Sequence, residues 1–206
     1  KMTNNNIKSA LLALAIAPAL VFAQADMPPT NDLENPYITQ SGYFKMPAGR
    51  DWGSSSTVEI DADGESIWVA ERCGGNTNCL DTPEIDPIML VDVDGNILKS
   101  FGKNMIVWPH GMHVDPDGNL WLADARGDEA RGKGHQVHKF SPDGELLMSL
   151  GTAGVAGQDK YIFNQPNDVA VAQNGDIFVA DGHGAGGNNR IVKYNSKGEY
   201  LMEFGE

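Results

Sequence analysis

A histidine that follows a proline marks the stretch of the chain best suited to chemistry. In Trp108–Asp124, WPHGMHVDPDGNLWLAD, the pair Pro109-His110 runs straight into two alternating apolar strands joined by Pro116-Asp117-Gly118-Asn119. Met112 and Val114, then Leu120 and Leu122, alternate as one-sided strands do, and Pro, Asp and Gly supply the backbone angles of a tight turn. The unit is a β-hairpin with an imidazole at its mouth. An imidazole held there can ligate a metal or move a proton near neutral pH; the alternative is a histidine that only caps the entry to a strand. His113, His135 and His138 are expected to face solvent or a neighbouring repeat rather than a metal. The acidic turns Asp61-Ala62-Asp63-Gly64 and Asp92-Val93-Asp94-Gly95 begin like calcium loops. No acidic residue closes either one inside a helix, so they read as hairpin turns.

The elements that must position His110 are repeats. VEIDADGESIWVAER (58–72), MHVDPDGNLWLADAR (112–126) and VAVAQNGDIFVADGH (169–183) are one pattern. A second hairpin alternates with it: MLVDVDGNILKSFGK (89–103), HKFSPDGELLMSLGT (138–152) and VKYNSKGEYLMEFGE (192–206). Two hairpins, or four short strands, recurring roughly every 55 residues make a unit of propeller-blade size, and no helical periodicity competes with it. A sandwich of the same hairpins would not require such regular self-similarity. The fold expected is therefore all-β, a propeller with blades at about 52–107, 108–164 and 165–206, after an extended lead-in over 26–51 with one strand at Tyr43–Met46.

At the other end, Lys8 introduces an apolar run from Ala10 to Ala23, closed by Ala23-Gln24-Ala25. The run is short for a membrane span and ends in small residues, so residues 1–25 read as a cleaved signal peptide, which implies a secreted or periplasmic protein; a buried core helix is the alternative. In an exported chain, Cys73 and Cys79, the two cysteines of the sequence, are expected to form a disulfide around a small loop, with zinc ligation as the lesser alternative. A formal net charge of -13 argues against nucleic acid or an anionic membrane surface as partner.

The hairpins resemble NHL repeats. PHGMHVDPDGNLWLAD, HQVHKFSPDG, FNQPNDVAVAQNGDIFVADG and NNRIVKYNSKGEYLMEFGE resemble, more particularly, the peptidyl-α-hydroxyglycine α-amidating lyase (peptidylamidoglycolate lyase) family, over about Thr57 to Glu206. The resemblance implies a six-bladed β-propeller, three of whose blades lie in this chain, and a reaction that cleaves a peptidyl-α-hydroxyglycine to a peptide amide and glyoxylate. It also implies a zinc ion held by histidines at the propeller axis and a structural calcium. His110 matches the first zinc histidine, in the Pro-His-Gly motif, and Arg72 the substrate-facing arginine, whose guanidinium suits a carboxylate. His183, in Asp181-Gly182-His183, stands where the family has a catalytic tyrosine. This departure changes the pKa and reach of the base, and Gly184, Gly186 and Gly187 lengthen the loop around it. The backbone carbonyls of Val58 and Met112 correspond to calcium ligands.

Other readings stay open for these residues. Arg72 can instead pair with Glu71 or Asp81, and His183 can be an exposed loop histidine. One Pro-His motif is present where the family uses three for zinc, so the remaining blades and ligands are expected from a longer parent chain or from a second copy that closes the ring. The rival functions are a non-enzymatic propeller that binds a peptide, glycan or protein on one face, and a calcium-dependent lactonase-type hydrolase, for which no set of acidic ligands is identified.

Overall fold

Alternation along each repeat produces strands, and the computed structural model, which describes residues 32–205, contains twelve of them in three four-stranded antiparallel sheets. The first sheet is β1 (Ser55–Ile60), β2 (Ile67–Glu71), β3 (Ile88–Val91) and β4 (Ile97–Phe101). The second is β5 (Pro109–Val114), β6 (Leu120–Asp128), β7 (Lys133–Phe140) and β8 (Leu146–Leu150). The third is β9 (Pro166–Val171), β10 (Ile177–Asp181), β11 (Arg190–Tyr194) and β12 (Tyr200–Gly205). In each, the strands neighbour one another in chain order, which is the meander of a propeller blade. The first hairpin closes in the same way in the second and third blades, at Val114 with Leu120 and Val171 with Ile177, and with one more loop residue in the first, at Ile60 with Ile67. The described residues form a partial propeller of three blades.

The turns are fixed by their own carboxylates. Asp115 accepts N–H bonds from Asp117 and Asn119 at 3.0 and 2.9 Å and one from the Trp121 indole at 3.0 Å, so a single side chain sets the turn and orients a core residue. Gly118 sits at φ +82°, in the left-handed region that such a turn requires and glycine adopts without strain.

The core lies between blades. Trp68, Ile88, Met112, Leu120 and Phe140 join the first blade to the second, and Trp121, Val137, Phe163, Ile177 and Tyr194 join the second to the third. Each such side chain, removed from water, contributes roughly 1.5–3 kcal/mol. On the innermost strands, β5 lies against both β1 and β9. Glu59 faces His113 across the first of these contacts at 3.7 Å, so alternation turns Val58 and Ile60, each 62% exposed, to the opposite side. Leu201, Met202 and Phe204 of β12 are also exposed.

One carboxylate recurs at the fifth position of the second strand of every blade: Glu71, Asp124 and Asp181, all buried. Each accepts backbone N–H groups of the segment leading into its blade, Gly53 at 2.8 Å, Val107 and Trp108 at 3.0 and 2.6 Å, and Asn164 at 2.8 Å. A turn of chain that would otherwise bury unpaired donors is satisfied in this way. Glu71 pairs with Arg50 at 2.7 Å and Asp181 with Arg190 at 2.9 Å. Asp124 has no ion pair among the described residues, and burial pushes its carboxyl up to about 7 against the pull of its two N–H bonds.

The strand expected at Tyr43–Met46 is reduced to a single parallel bridge between Lys45 and Asn96, because the segment makes one ladder bond, Lys45 N–H to the Gly95 carbonyl at 2.8 Å. Packing holds it instead. Phe44 and Met46 cover Val69, Met89 and Val91, and Phe44 stacks on Trp52 with ring centroids 5.0 Å apart. The chain divides into two units, Lys1–Thr39 and Gln40–Glu206, and residues 32–39 of the first are exposed and carry no helix or strand. The signal segment expected at 1–25 lies outside the described residues. Among those described, no helix is long and apolar enough to cross a membrane.

Candidate active site

His110 is positioned from both sides. Behind it, Asp124 holds the N–H groups of Val107 and Trp108, which fixes the approach to Pro109. The β5–β6 pairing then shifts register between Pro109 and Met112, and a bulge of this kind re-aims a side chain that the regular pleat would turn away. In front, the Cβ that Gly111 lacks would lie 2.5 Å from the Asn167 carbonyl oxygen and 2.6 Å from Asp168 Cα. Glycine therefore lets the third blade approach closely, and His110 Nδ1 meets the Asn167 carbonyl at 2.8 Å.

That bond decides the tautomer. A carbonyl only accepts, so Nδ1 carries the proton and Nε2 presents its lone pair. Burial, the largest cause, lowers the pKa of His110 from its ordinary value; the nearby His183 and Arg72 lower it further, against the opposing pull of Asn167 and Asp168. This arrangement leaves the Nε2 lone pair turned away from Asn167.

Around it, the third blade brings His183, whose ring lies 4.7 Å from His110 edge to face and 5.1 Å from Trp108. Asn167 ties the two loops together, since its Nδ2 donates to the Gly182 carbonyl at 2.6 Å. The first blade brings Arg72, with its guanidinium carbon 4.4 Å from the centre of the Trp108 ring. Arg72 pairs with neither Glu71 nor Asp81: Glu71 is occupied by Arg50 and the backbone of Gly53 and Gly74. Burial lowers the pKa of Arg72, and a second guanidinium, Arg126, 4.2 Å from the same ring, adds to the effect. The disulfide between Cys73 and Cys79 closes the loop that follows Arg72.

His110, His183 and Arg72, which stand 38 or more residues apart in the chain, thus meet at one end of the inner strands. His110 and His183 offer two imidazoles to a metal, and the Nδ1 bond of His110 is the outer support that metal-binding histidines use. Among the described residues no group of three His, Cys, Asp or Glu side chains gathers around a point. The residues present therefore fit one side of a zinc site, and further ligands would have to come from beyond these three blades. Val58 and Met112 lie on the neighbouring strands β1 and β5. His113 faces Glu59, as a residue between blades does. His135 lies between blades as well, with Nδ1 3.3 Å from the Gln165 N–H. His138 is buried on the face of β7 that carries Phe140, toward the first blade, with Nδ1 2.9 Å from Ser149 Oγ.

Sequence reasoning did not single out Trp108, Arg126, Asn167 or Asp124 for the site. Asp124 left a signal, because Glu71 and Asp181 repeat its position; Asn167 left none, because it meets His110 through its backbone carbonyl, which any residue carries.

Among the described residues the fold defines three blades of a β-propeller, and comparison with known proteins adds what this class resembles. The NHL repeat profile matches residues 163–194. The chain is 40% identical over 122 residues to peptidyl-alpha-hydroxyglycine alpha-amidating lyase 1 of Drosophila melanogaster, a match covering 58% of this chain and 20% of the relative. It is 37% identical over 117 residues to the protein named probable peptidyl-alpha-hydroxyglycine alpha-amidating lyase pgal-1 of Caenorhabditis elegans, covering 56% and 31%. It is 39% identical over 190 residues to peptidylglycine alpha-amidating monooxygenase of Rattus norvegicus, covering 81% and 18%. The chain thus spans less than a third of each of these relatives. In fold it is similar to hydrazine synthase of Kuenenia stuttgartiensis, with a TM-score of 0.51, 13% identity, and coverage of 82% of this chain and 39% of that one.

Proposed function

We propose that this chain supplies three blades of an exported, six-bladed lyase that cleaves the C–N bond of a peptidyl-α-hydroxyglycine to a peptide amide and glyoxylate. The observation that carries the reading is the His110 tautomer: Nδ1 is committed to Asn167, and Nε2 is free beside His183 and Arg72. Similarity to relatives named as amidating lyases supports it.

His110 Nε2 would be one ligand of a zinc ion, whose chemistry is to draw charge from the substrate hydroxyl and ease its deprotonation. Arg72 receives the substrate carboxylate, held in place by the face of Trp108. An imidazole nitrogen of His183 takes the hydroxyl proton. The electron pair left on oxygen becomes the aldehyde C=O of glyoxylate as the C–N bond breaks, and the same proton passes to the leaving amide nitrogen, so the histidine ends as it began. The carbonyls of Val58 and Met112 would contribute to a calcium site that holds β1 to β5. The remaining zinc ligands come from further blades, or from a second copy that closes the ring. The exposed apolar side chains Val58, Ile60, Leu201 and Phe204 favour such closure.

The test uses the full-length protein loaded with zinc. Release of glyoxylate from an N-acyl-α-hydroxyglycine is expected, with His110→Ala losing both turnover and bound zinc by metal analysis. Stoichiometric zinc without glyoxylate would replace the reading by a metal-supported binding module; a protein that takes up neither zinc nor substrate would end it.

A further inference from the structure

Arg126 has no counterpart in the scheme above. Like His110, it sits at a break in the ladder, since the β6–β7 pairing shifts register between Asp124 and Gly127. The bulge releases its side chain toward Trp108 instead of along the sheet. Arg72 and Arg126 therefore converge on one indole from different blades. Neither forms an ion pair among the described residues, although the chain carries 28 acidic side chains against 15 lysines and arginines. The other arginines in the ion pairs, Arg50, Arg131 and Arg190, all find carboxylates. Arg72 Nε and Trp108 Nε1 are buried with no hydrogen-bond partner among the described residues. Two like charges held together, beside unanswered donors and in an acidic protein, are the arrangement of an anion site awaiting its ligand.

The two guanidiniums are not equivalent. Arg72 is half-buried over the Trp108 ring, whose centroid lies 5.3 Å from that of His110. Arg126 is exposed and further out. Building on the proposed lyase reading, we infer that Arg126 is a specificity-determining residue that binds a second negative charge, the side-chain carboxylate of the substrate residue preceding the terminal one, while Arg72 binds the terminal carboxylate. The site thus selects acidic peptide ends. A rim guanidinium acts on such a charge through both affinity and steering, and its effect falls with added salt.

Isothermal titration separates this from catalysis. The probes are N-acetyl-Glu-Gly and N-acetyl-Gln-Gly, stable dipeptides that differ in one charge, added to the full-length protein at low ionic strength. The wild type is expected to bind the Glu ligand about ten-fold more tightly. Arg126→Gln removes that preference, and Arg72→Gln weakens both ligands. Equal affinity of the wild type for the two, no binding of either, or an Arg126→Gln protein that loses both equally would overturn the inference. Failure of the lyase reading appears separately, as absent glyoxylate release with the binding preference intact.

Discussion

Nδ1 of His110, on the innermost strand of the second blade, lies 2.8 Å from the carbonyl oxygen of Asn167, at the start of the third. One hydrogen bond thus spans the blade interface and sets the free nitrogen of the imidazole. On the other side, Ser56 of the first blade donates to the Pro109 carbonyl at 2.8 Å, so the histidine is held between both neighbours. The tautomer is a property of how three blades pack.

Gly111 is the residue that permits this approach. In Gly111→Ala the new methyl meets backbone, the Asn167 carbonyl at 2.5 Å and Asp168 Cα at 2.6 Å, neither of which can swing aside as a side chain could. The variant is expected to lose about 1–3 kcal/mol in denaturant unfolding. By NMR, the His110 Nδ1–H signal should weaken or exchange faster. A variant as stable as wild type, with that signal unchanged, would show that the blades are not in tight contact here.

Asp124→Asn tests the support behind His110. Both carboxylate oxygens accept N–H bonds, whereas an amide offers one acceptor, so either Val107 or Trp108 loses its partner. A cost of about 1–3 kcal/mol is expected. The pH dependence follows from a folded pKa raised to about 7 from an ordinary 3.8. Between those values the folded state holds the proton more tightly than the unfolded state, so this group's contribution to stability declines as pH rises from about 4 to 7. The Asn variant should lack that decline, and Tm measured across the range for both proteins checks it.

His138 gives the opposite slope. Burial depresses its pKa from 6.5 to about 4, so the unfolded state binds the extra proton first. Its contribution is complete above about 6.5 and is lost as pH falls toward 4. His138→Phe, with Phe140 as neighbour, should flatten the acid side of the Tm curve; an unchanged curve would mean that the imidazole is not buried in solution.

Reduction of the Cys73–Cys79 bond opens a loop with a sequence separation of 6. Chain entropy alone puts the loss at about 2 kcal/mol. Because Cys73 directly follows Arg72, the paired Ser variant should also weaken carboxylate ligands more than it weakens zinc binding at His110. Equal losses for both would show that the loop stabilises the blade without positioning the arginine.

The sequence by itself determined the blades. Two alternating hairpins with Asp-Gly, Asn-Gly or Lys-Gly turns, repeated three times, leave a four-stranded meander as the unit, since alternation and turn geometry are local properties of the chain. Motif similarity also singled out His110, Arg72 and His183. The strand at Tyr43–Met46 was misjudged because its apolar residues are spent on packing against the first blade rather than on a ladder. Only the tertiary structure decided that His183 stands 4.7 Å from His110, that two arginines share Trp108, and that Asp124 alone of the three repeated carboxylates forms no ion pair among the described residues. Each of these depends on residues more than a blade or a strand apart, brought together by close packing between sheets. Periodicity within one repeat carries no record of what the next repeat places across the gap.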